Sequence, residues 1–232
     1  AITSAGEQVF YRDESQGILL GAVRDGKNWR YEIVDGDSEL KGRTTGDVAF
    51  HLKAIATENR VDVFYDSVLS VSNSDKSVQR GEIRIASRDS AFAEDWRYQS
   101  VLPSGGNTVV AGYDLSVTLI SKVIYTGWLG ASGISLPKPD QIQWGRMDSV
   151  LPPSTTKTDY FGTPSGPIAV DNSAIIFGCQ DRLCAYNKGD KTINLISNGS
   201  VKGAKSATWI TLNKIKFALV ASDGKLALFR KP

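Results

Sequence analysis

"GEIRIASRDSAFAEDWRY", residues 81–98, has a shorter counterpart near the start of the chain in "GILLGAVRDGKNWRY", residues 17–31. Aligned from the glycine, Gly17 falls on Gly81, Ala22 on Ala86, Arg24 on Arg88 and Asp25 on Asp89. A tight turn in one copy and a longer one in the other then lead to Trp29 and Trp96, and both copies continue as Trp-Arg-Tyr. Upstream of each glycine lies a second match, "EQVFYRD" (Glu7 to Asp13) against "VDVFYDS" (Val61 to Ser67), which sets Val9, Phe10 and Tyr11 on Val63, Phe64 and Tyr65. The repeat therefore spans at least two strands and predicts a third.

Extending the register gives further copies. "SKVIYTGWLGASGISLPKPDQIQWGRM" places Val123, Ile124 and Tyr125 on the Val-Phe-Tyr triplets and Trp144 on the earlier tryptophans. Trp29 and Trp96 stand further apart than Trp96 and Trp144, and the polar stretch "DSVLSVSNSDKSVQRG" accounts for the excess as an insertion in a hairpin. "SAIIFGCQDRLCAYNKGDKTINLI" reads as a fourth copy, and "SATWITLNKIKFALVASDGKLALFRKP" as a fifth that ends after its third strand. Short segments rich in Val, Ile, Phe and Tyr, separated by Gly, Asp, Asn and Ser, predict an all-β chain. A period of roughly 40 to 50 residues holding three or four strands is that of propeller blades, because one small sheet buries its faces only when neighbours stack on it. The expectation is one domain over residues 1–232, a five-bladed β-propeller, with six blades as the nearest alternative. "AITSA" serves either as the first strand of the first blade or as a closure strand for the last.

Composition excludes several function classes. The chain has 232 residues, 41% of them hydrophobic, with 27 basic and 25 acidic side chains for a formal charge of +2. Spread along the sequence, these charges form no footprint for nucleic acid or an anionic membrane surface. No apolar run approaches a membrane span, and "AITSAGEQ" lacks the regions of a signal peptide. A start at Ala1 implies removal of an initiator Met or of a longer leader; secretion is slightly favoured as the compartment. Two cysteines and one histidine make no zinc set, and no cofactor fingerprint is present. Cys179 and Cys184 are suited either to a disulfide across a hairpin or to two buried thiols. "NGS" at Asn198 is a glycosylation sequon if the chain is secreted.

A strand reading apolar-x-Val-aromatic-Tyr, a following strand, and then "DGKNW" (Asp25 to Trp29) resembles the repeat of the fungal fucose-binding lectin family. The resemblance implies a propeller with sugar pockets between adjacent blades. In that family an Arg on the first strand and a Glu on the next hold the sugar hydroxyls while aromatic rings pack on the apolar sugar face. This chain has Gln8, Asp62 and Lys122 at the Arg position and Gly21 and Ile85 at the Glu position. Buried hydroxyls left without partners cost roughly 1 to 3 kcal/mol each, so only the aromatic wall carries over.

Trp29, Trp96 and Trp144 therefore have two readings: wedges between blades, or platforms for a sugar. Arg24, Arg88, Asp25 and Asp89 beside them are either turn and surface charges or the hydrogen-bonding groups of the same pockets. The favoured function is a non-enzymatic, lectin-like binder of glycans or glycoconjugates with sites between blades and no metal; an oligomer is compatible with it. Two alternatives stand beside it. A glycosidase-like propeller needs two of Asp47, Asp114 and Asp171 at one pocket, while His51 has no nucleophile motif with which to form a triad. A lectin-derived propeller for a small apolar molecule would use Phe50, Trp128 and Trp209 as lining.

Overall fold

The computed structural model describes all residues except 1, 4–5, 57–59, 71–78, 90–94, 101–109, 132–140, 149–154, 161–163, 198–199, 202, 223 and 231–232. The described residues form five small sheets, a single 3-10 turn at Leu40–Gly42 and no α-helix. They fall into two compact units. The first comprises Ala1–Gly112 with Gly133–Ser135, the second Tyr113–Ser132 with Leu136–Pro232.

In the first unit, one sheet runs β1 (Ile2–Thr3), β2 (Gly6–Asp13), β3 (Ile18–Asp25) and β4 (Asn28–Asp35). The next runs β5 (Val48–Ala56), β6 (Val61–Ser70), β7 (Gln79–Arg88) and β8 (Arg97–Ser100). Ile2 pairs with Glu7, so "AITSA" supplies the first strand of the first sheet. The hairpin that carries the polar insertion pairs through Ser70 and Gln79, and its tip lies outside the described residues.

Strand alternation sorts the first sheet into two faces. Val9, Tyr11, Trp29, Tyr31 and Ile33 line one, and all are exposed. Phe10, Leu19 and Val34 pack on the other against Val48, Val61, Val63, Tyr65 and Trp96 of the second sheet. β6 is buried without a break from Val61 to Ser67, as expected of a strand covered on both faces. Gly17 turns at φ +72°, a conformation that favours glycine, and a Cβ there would also displace the Asp47 carboxylate.

The second unit holds three sheets. They are β9 (Val110–Ile120) to β12 (Thr155–Tyr160), with β10 (Val123–Ala131) and β11 (Gln141–Asp148) between; β13 (Pro164–Val170), β14 (Ala174–Cys179), β15 (Arg182–Asn187) and β16 (Ile193–Leu195); and β17 (Ala204–Leu212), β18 (Ile215–Ser222) and β19 (Lys225–Arg230). One core joins Leu129 to Ile168, Val170, Ile175, Phe177 and Tyr186. Another joins Ala169, Ile176 and Leu183 to Ala218 and Val220. Two-residue turns at Ser121-Lys122, Gln180-Asp181 and Asn213-Lys214 have both residues at positive φ, the geometry whose twist matches antiparallel strands. Cys179 and Cys184 form a disulfide diagonally across the β14–β15 hairpin. The last sheet has three strands among the described residues, as its sequence indicates.

The repeat is explicit in the register. Arg24 lies opposite Trp29 and Ala22 opposite Tyr31; Ala86 lies opposite Tyr98, and continuing that ladder by two brings Arg88 to Trp96. Trp144 breaks the pattern. It sits on β11, the third strand of its sheet, opposite Gly127 and Lys157, whereas Trp29 and Trp96 belong to the start of a fourth strand. The expected equivalence of the three tryptophans thus holds for two.

Trp96 is 9% exposed and Trp29 38%, although the same sequence pattern places them. Trp96→Ala is expected to cost about 3 kcal/mol or more in urea unfolding, and Trp29→Ala less than about 1 kcal/mol.

Candidate functional site

A concavity of about 170 Å³ opens between the two sheets of the first unit, lined by Glu32, Lys41, Arg43, Asp95, Trp96 and Tyr98. Its geometry starts from a buried carboxylate. Asp35, at the end of β4 and fully buried, accepts the Tyr65 hydroxyl at 2.5 Å, Arg84 Nε at 3.0 Å, and the amides of Gly36 at 2.9 Å and Thr44 at 2.7 Å. Arg84 also donates to Glu82 at 3.0 Å and to the Gly42 carbonyl at 2.6 Å. The loop that connects the sheets is thereby tied down at both Thr44 and Gly42, which sets Lys41 and Arg43 at the rim. Burial, with the Asp35 charge beside it, pushes the Tyr65 phenol well above its ordinary range, so it stays a hydroxyl donor.

The wall is built from the repeat itself. Trp96 packs edge-on against Phe10, with ring centroids 5.9 Å apart, and the Arg88 guanidinium lies 4.2 Å from the Trp96 ring centroid. Arg88 is fully buried and donates to Glu32 at 2.9 Å and to Gln8 at 2.9 Å. Burial pulls its guanidinium below its ordinary range, with Glu32 opposing the shift. Glu32 Oε2 also accepts Trp96 Nε1 at 3.4 Å. Glu32 Oε1 lies 2.7 Å from Arg88 Nη1, yet off the direction of its N–H, and is a buried acceptor without a hydrogen bond. Tyr98 donates to the Val34 carbonyl at 2.5 Å, Arg43 pairs with Asp37 at 2.7 Å, and Lys41 pairs with Asp95 at 3.6 Å. The concavity therefore offers aromatic surface, ammonium and guanidinium donors at its rim, and the carboxylates of Glu32 and Asp95. That combination suits a small polyhydroxylated ligand.

Of the residues singled out in the sequence, Trp96 lines this site and Arg88 supports it from below. The others lie elsewhere. Trp29 and Arg24 share the exposed face of the first sheet, where Arg24 pairs with Glu7 at 2.6 Å. Asp25 sits exposed at the turn opposite Asn28, and Asp89 pairs with Arg97 at 2.5 Å on the surface. The side chain of Trp144 and the sequon at Asn198 lie outside the described residues.

Each aspartate considered for catalysis has a local partner. Asp47 pairs with Arg12 at 3.0 Å in the first unit. Asp114 accepts the amides of Leu115 at 2.8 Å and Ile168 at 3.2 Å, and Asp171 accepts those of Ser173 and Ala174, both in the second unit. His51 is oriented by the buried Asp66 at 3.0 Å. Trp128 is core, Phe50 is 51% exposed beneath Arg12, and Trp209 is half-buried.

Glu32, Tyr98 and the Asp35 cluster were not legible as site residues. The only signal was that the tyrosine of "WRY" recurs. Glu32 follows it directly in "WRYE" of the first copy, but the second copy has Gln99 there.

The sequence matches no protein-family model and no curated protein. Solved structures do match in fold. An α-L-arabinofuranosidase of Fusarium graminearum, solved with arabinobiose, is similar over 99% of this chain and 73% of its own, with a TM-score of 0.56 and 11% identity. The major allergen Mala s 1 of Malassezia sympodialis is similar over 93% of this chain and 69% of its own, with a TM-score of 0.51 and 12% identity. Such neighbours are β-propellers, and the likeness shows an all-β, propeller-like fold. Neither is described as a fucose-binding lectin.

Tyr65→Phe removes only the hydroxyl that donates to Asp35 and is expected to cost about 1 to 3 kcal/mol in urea unfolding. Arg24→Ala, which breaks an exposed pair, is expected to change stability by less than about 1 kcal/mol in the same assay.

Proposed function

We propose that this chain is a non-enzymatic, carbohydrate-binding propeller. In this reading the five sheets are five blades of a single domain, and a glycan sits between the first two. The observation that carries the reading is the concavity itself, in which the rings of Trp96 and Tyr98 stand beside the polar side chains of Glu32, Lys41, Arg43 and Asp95. A sugar ring's C–H face would lie along the aromatic wall, with its hydroxyls toward the Glu32 and Asp95 side chains. Lys41 and Arg43 at the rim would donate to further hydroxyls.

Trp29 lies opposite Arg24, with Asp25 at the adjoining turn and its ring open to solvent, and we read it as a second, weaker platform. Trp144 and Asp89 complete the set of proposed contacts. Several weak sites on one body would hold clustered glycans by avidity.

A glycan array followed by calorimetry tests the proposal. A glycan that binds the wild type is expected to lose about tenfold or more in affinity with Glu32→Gln, which corresponds to about 1.4 kcal/mol. Silence across the array at high protein concentration would defeat the reading. Fucose alone as a hit would return it to the lectin pattern.

The pair of carboxylates at the concavity, Glu32 and Asp95, favours a second reading as a glycosidase-like propeller, in which they would serve as the two catalytic carboxyls. Their engagement with Arg88 and Lys41 is accounted for by binding alone. No release of aryl alcohol from aryl glycosides is expected. Turnover that disappears with Glu32→Gln or Asp95→Asn would make the protein an enzyme.

A further inference from the structure

Four charged side chains line the concavity of the first unit, Glu32, Lys41, Arg43 and Asp95, and each stands in an ion pair. Glu32 meets Arg88 at 2.7 Å, Arg43 meets Asp37 at 2.7 Å, and Lys41 Nζ lies 3.6 Å from Asp95 Oδ1. The lining is thereby neutral, pair by pair. The pairs differ in how they meet water. Arg88 is fully buried and the Arg43–Asp37 pair is largely covered, whereas the Lys41 and Asp95 side chains are 76% and 84% exposed. An exposed pair holds its two members together only weakly. Lys41 and Asp95 are therefore the charges that can turn to a ligand without loss to the fold, and Asp95 immediately precedes the indole wall at Trp96.

A sugar hydroxyl both donates and accepts hydrogen bonds. Two hydroxyls on neighbouring ring carbons thus match an ammonium and a carboxylate held side by side: one accepts from Lys41 and the other donates to Asp95. Such a diol brings no charge into the site and takes none from it. A charged sugar does otherwise. The carboxylate of a uronic acid at Lys41 would face Asp95 and Glu32, and the ammonium of an amino sugar at Asp95 would face Lys41 and Arg43. In either case like charges meet and one member of the pair loses its counter-ion, both of which weaken binding. Size narrows the choice further. At about 170 Å³ the concavity is smaller than the roughly 300 to 1,000 Å³ of pockets for drug-sized ligands, and it suits one sugar residue.

We propose that the concavity takes a single uncharged sugar residue, that the Lys41–Asp95 pair holds a vicinal diol of that residue, and that each half of the pair excludes charged sugars of its own sign. Asp95 keeps out uronic acids, and Lys41 keeps out amino sugars. This selectivity rests on the glycan-binding reading of the same site and gives it a substrate class.

The test is calorimetric titration of the full chain at pH 6, where a uronic acid is an anion and an amino sugar a cation. The probes are the methyl glycosides of glucose, galactose, mannose and fucose, with glucuronate, galacturonate, glucosamine and galactosamine as the charged set. Expected is saturable binding of at least one uncharged glycoside, about tenfold or more tighter than any charged sugar. Asp95→Asn leaves the Lys41 ammonium unpaired and should raise uronate affinity about fivefold or more. Lys41→Gln should do the same for the amino sugars. The exchange of Lys41→Asp with Asp95→Lys rebuilds the pair and should return the preference to the uncharged sugar. Both side chains are exposed, so the variants are expected to unfold in urea as the wild type does. Equal binding of charged and uncharged sugars by the wild type, or charged-sugar affinities that both single variants leave unchanged, would overturn this selectivity while the glycan reading stands. Silence of every probe would overturn it as well, and the glycan array decides separately whether the wider reading holds.

Discussion

The buried carboxylate of Asp35 is the constraint on which the first unit depends. A carboxylate removed from water has to be hydrogen-bonded on every side, and here the partners come from two places: the Tyr65 hydroxyl and Arg84 of the second sheet, and the Gly36 and Thr44 amides of the connecting loop. Satisfying one residue therefore fixes how the two sheets meet. It also fixes the loop, since the same guanidinium holds the Gly42 carbonyl. The concavity is what remains between these fixed parts. Its rim cations owe their places to an interaction that lies outside it.

The repeat was legible because strand register copies sequence spacing faithfully. Val-Phe-Tyr on a second strand and Arg opposite Trp across the third and fourth are read directly from the first two sheets, and the structure pairs those residues as aligned. Trp144 departs from the repeat. A tryptophan following a Val-Ile-Tyr strand was assigned the role of the earlier ones, but it arrives one strand early, on β11 opposite Gly127. Spacing along the chain cannot distinguish a third strand reached by a long connection from a fourth reached by two short ones. The pairing partner decides, and that is a contact between segments.

Sites are less legible for the same reason. Arg24 and Arg88 occupy matching places in one motif, yet one is a surface ion-pair partner and the other is fully buried on an indole. What differs is the environment. The first sheet presents Phe10, Gln8 and Glu32 to Arg88 and Trp96, and no described residue does the same for Arg24 and Trp29 to that degree. Glu32 acquires its role only through this cross-sheet packing.

Each sheet follows chain order, strand by strand, and in the second unit hairpins turn on two residues at three places. In kinetic terms this puts most of the pairing within easy reach, since short loops close quickly and at small entropic cost. The expensive step lies elsewhere. Asp35 finds its partners at Tyr65 and Arg84 only after an entire second hairpin has been laid down. The sheets are therefore the local part of the fold, and joining them through Asp35 closes a loop of 30 residues to Tyr65 and of 49 to Arg84.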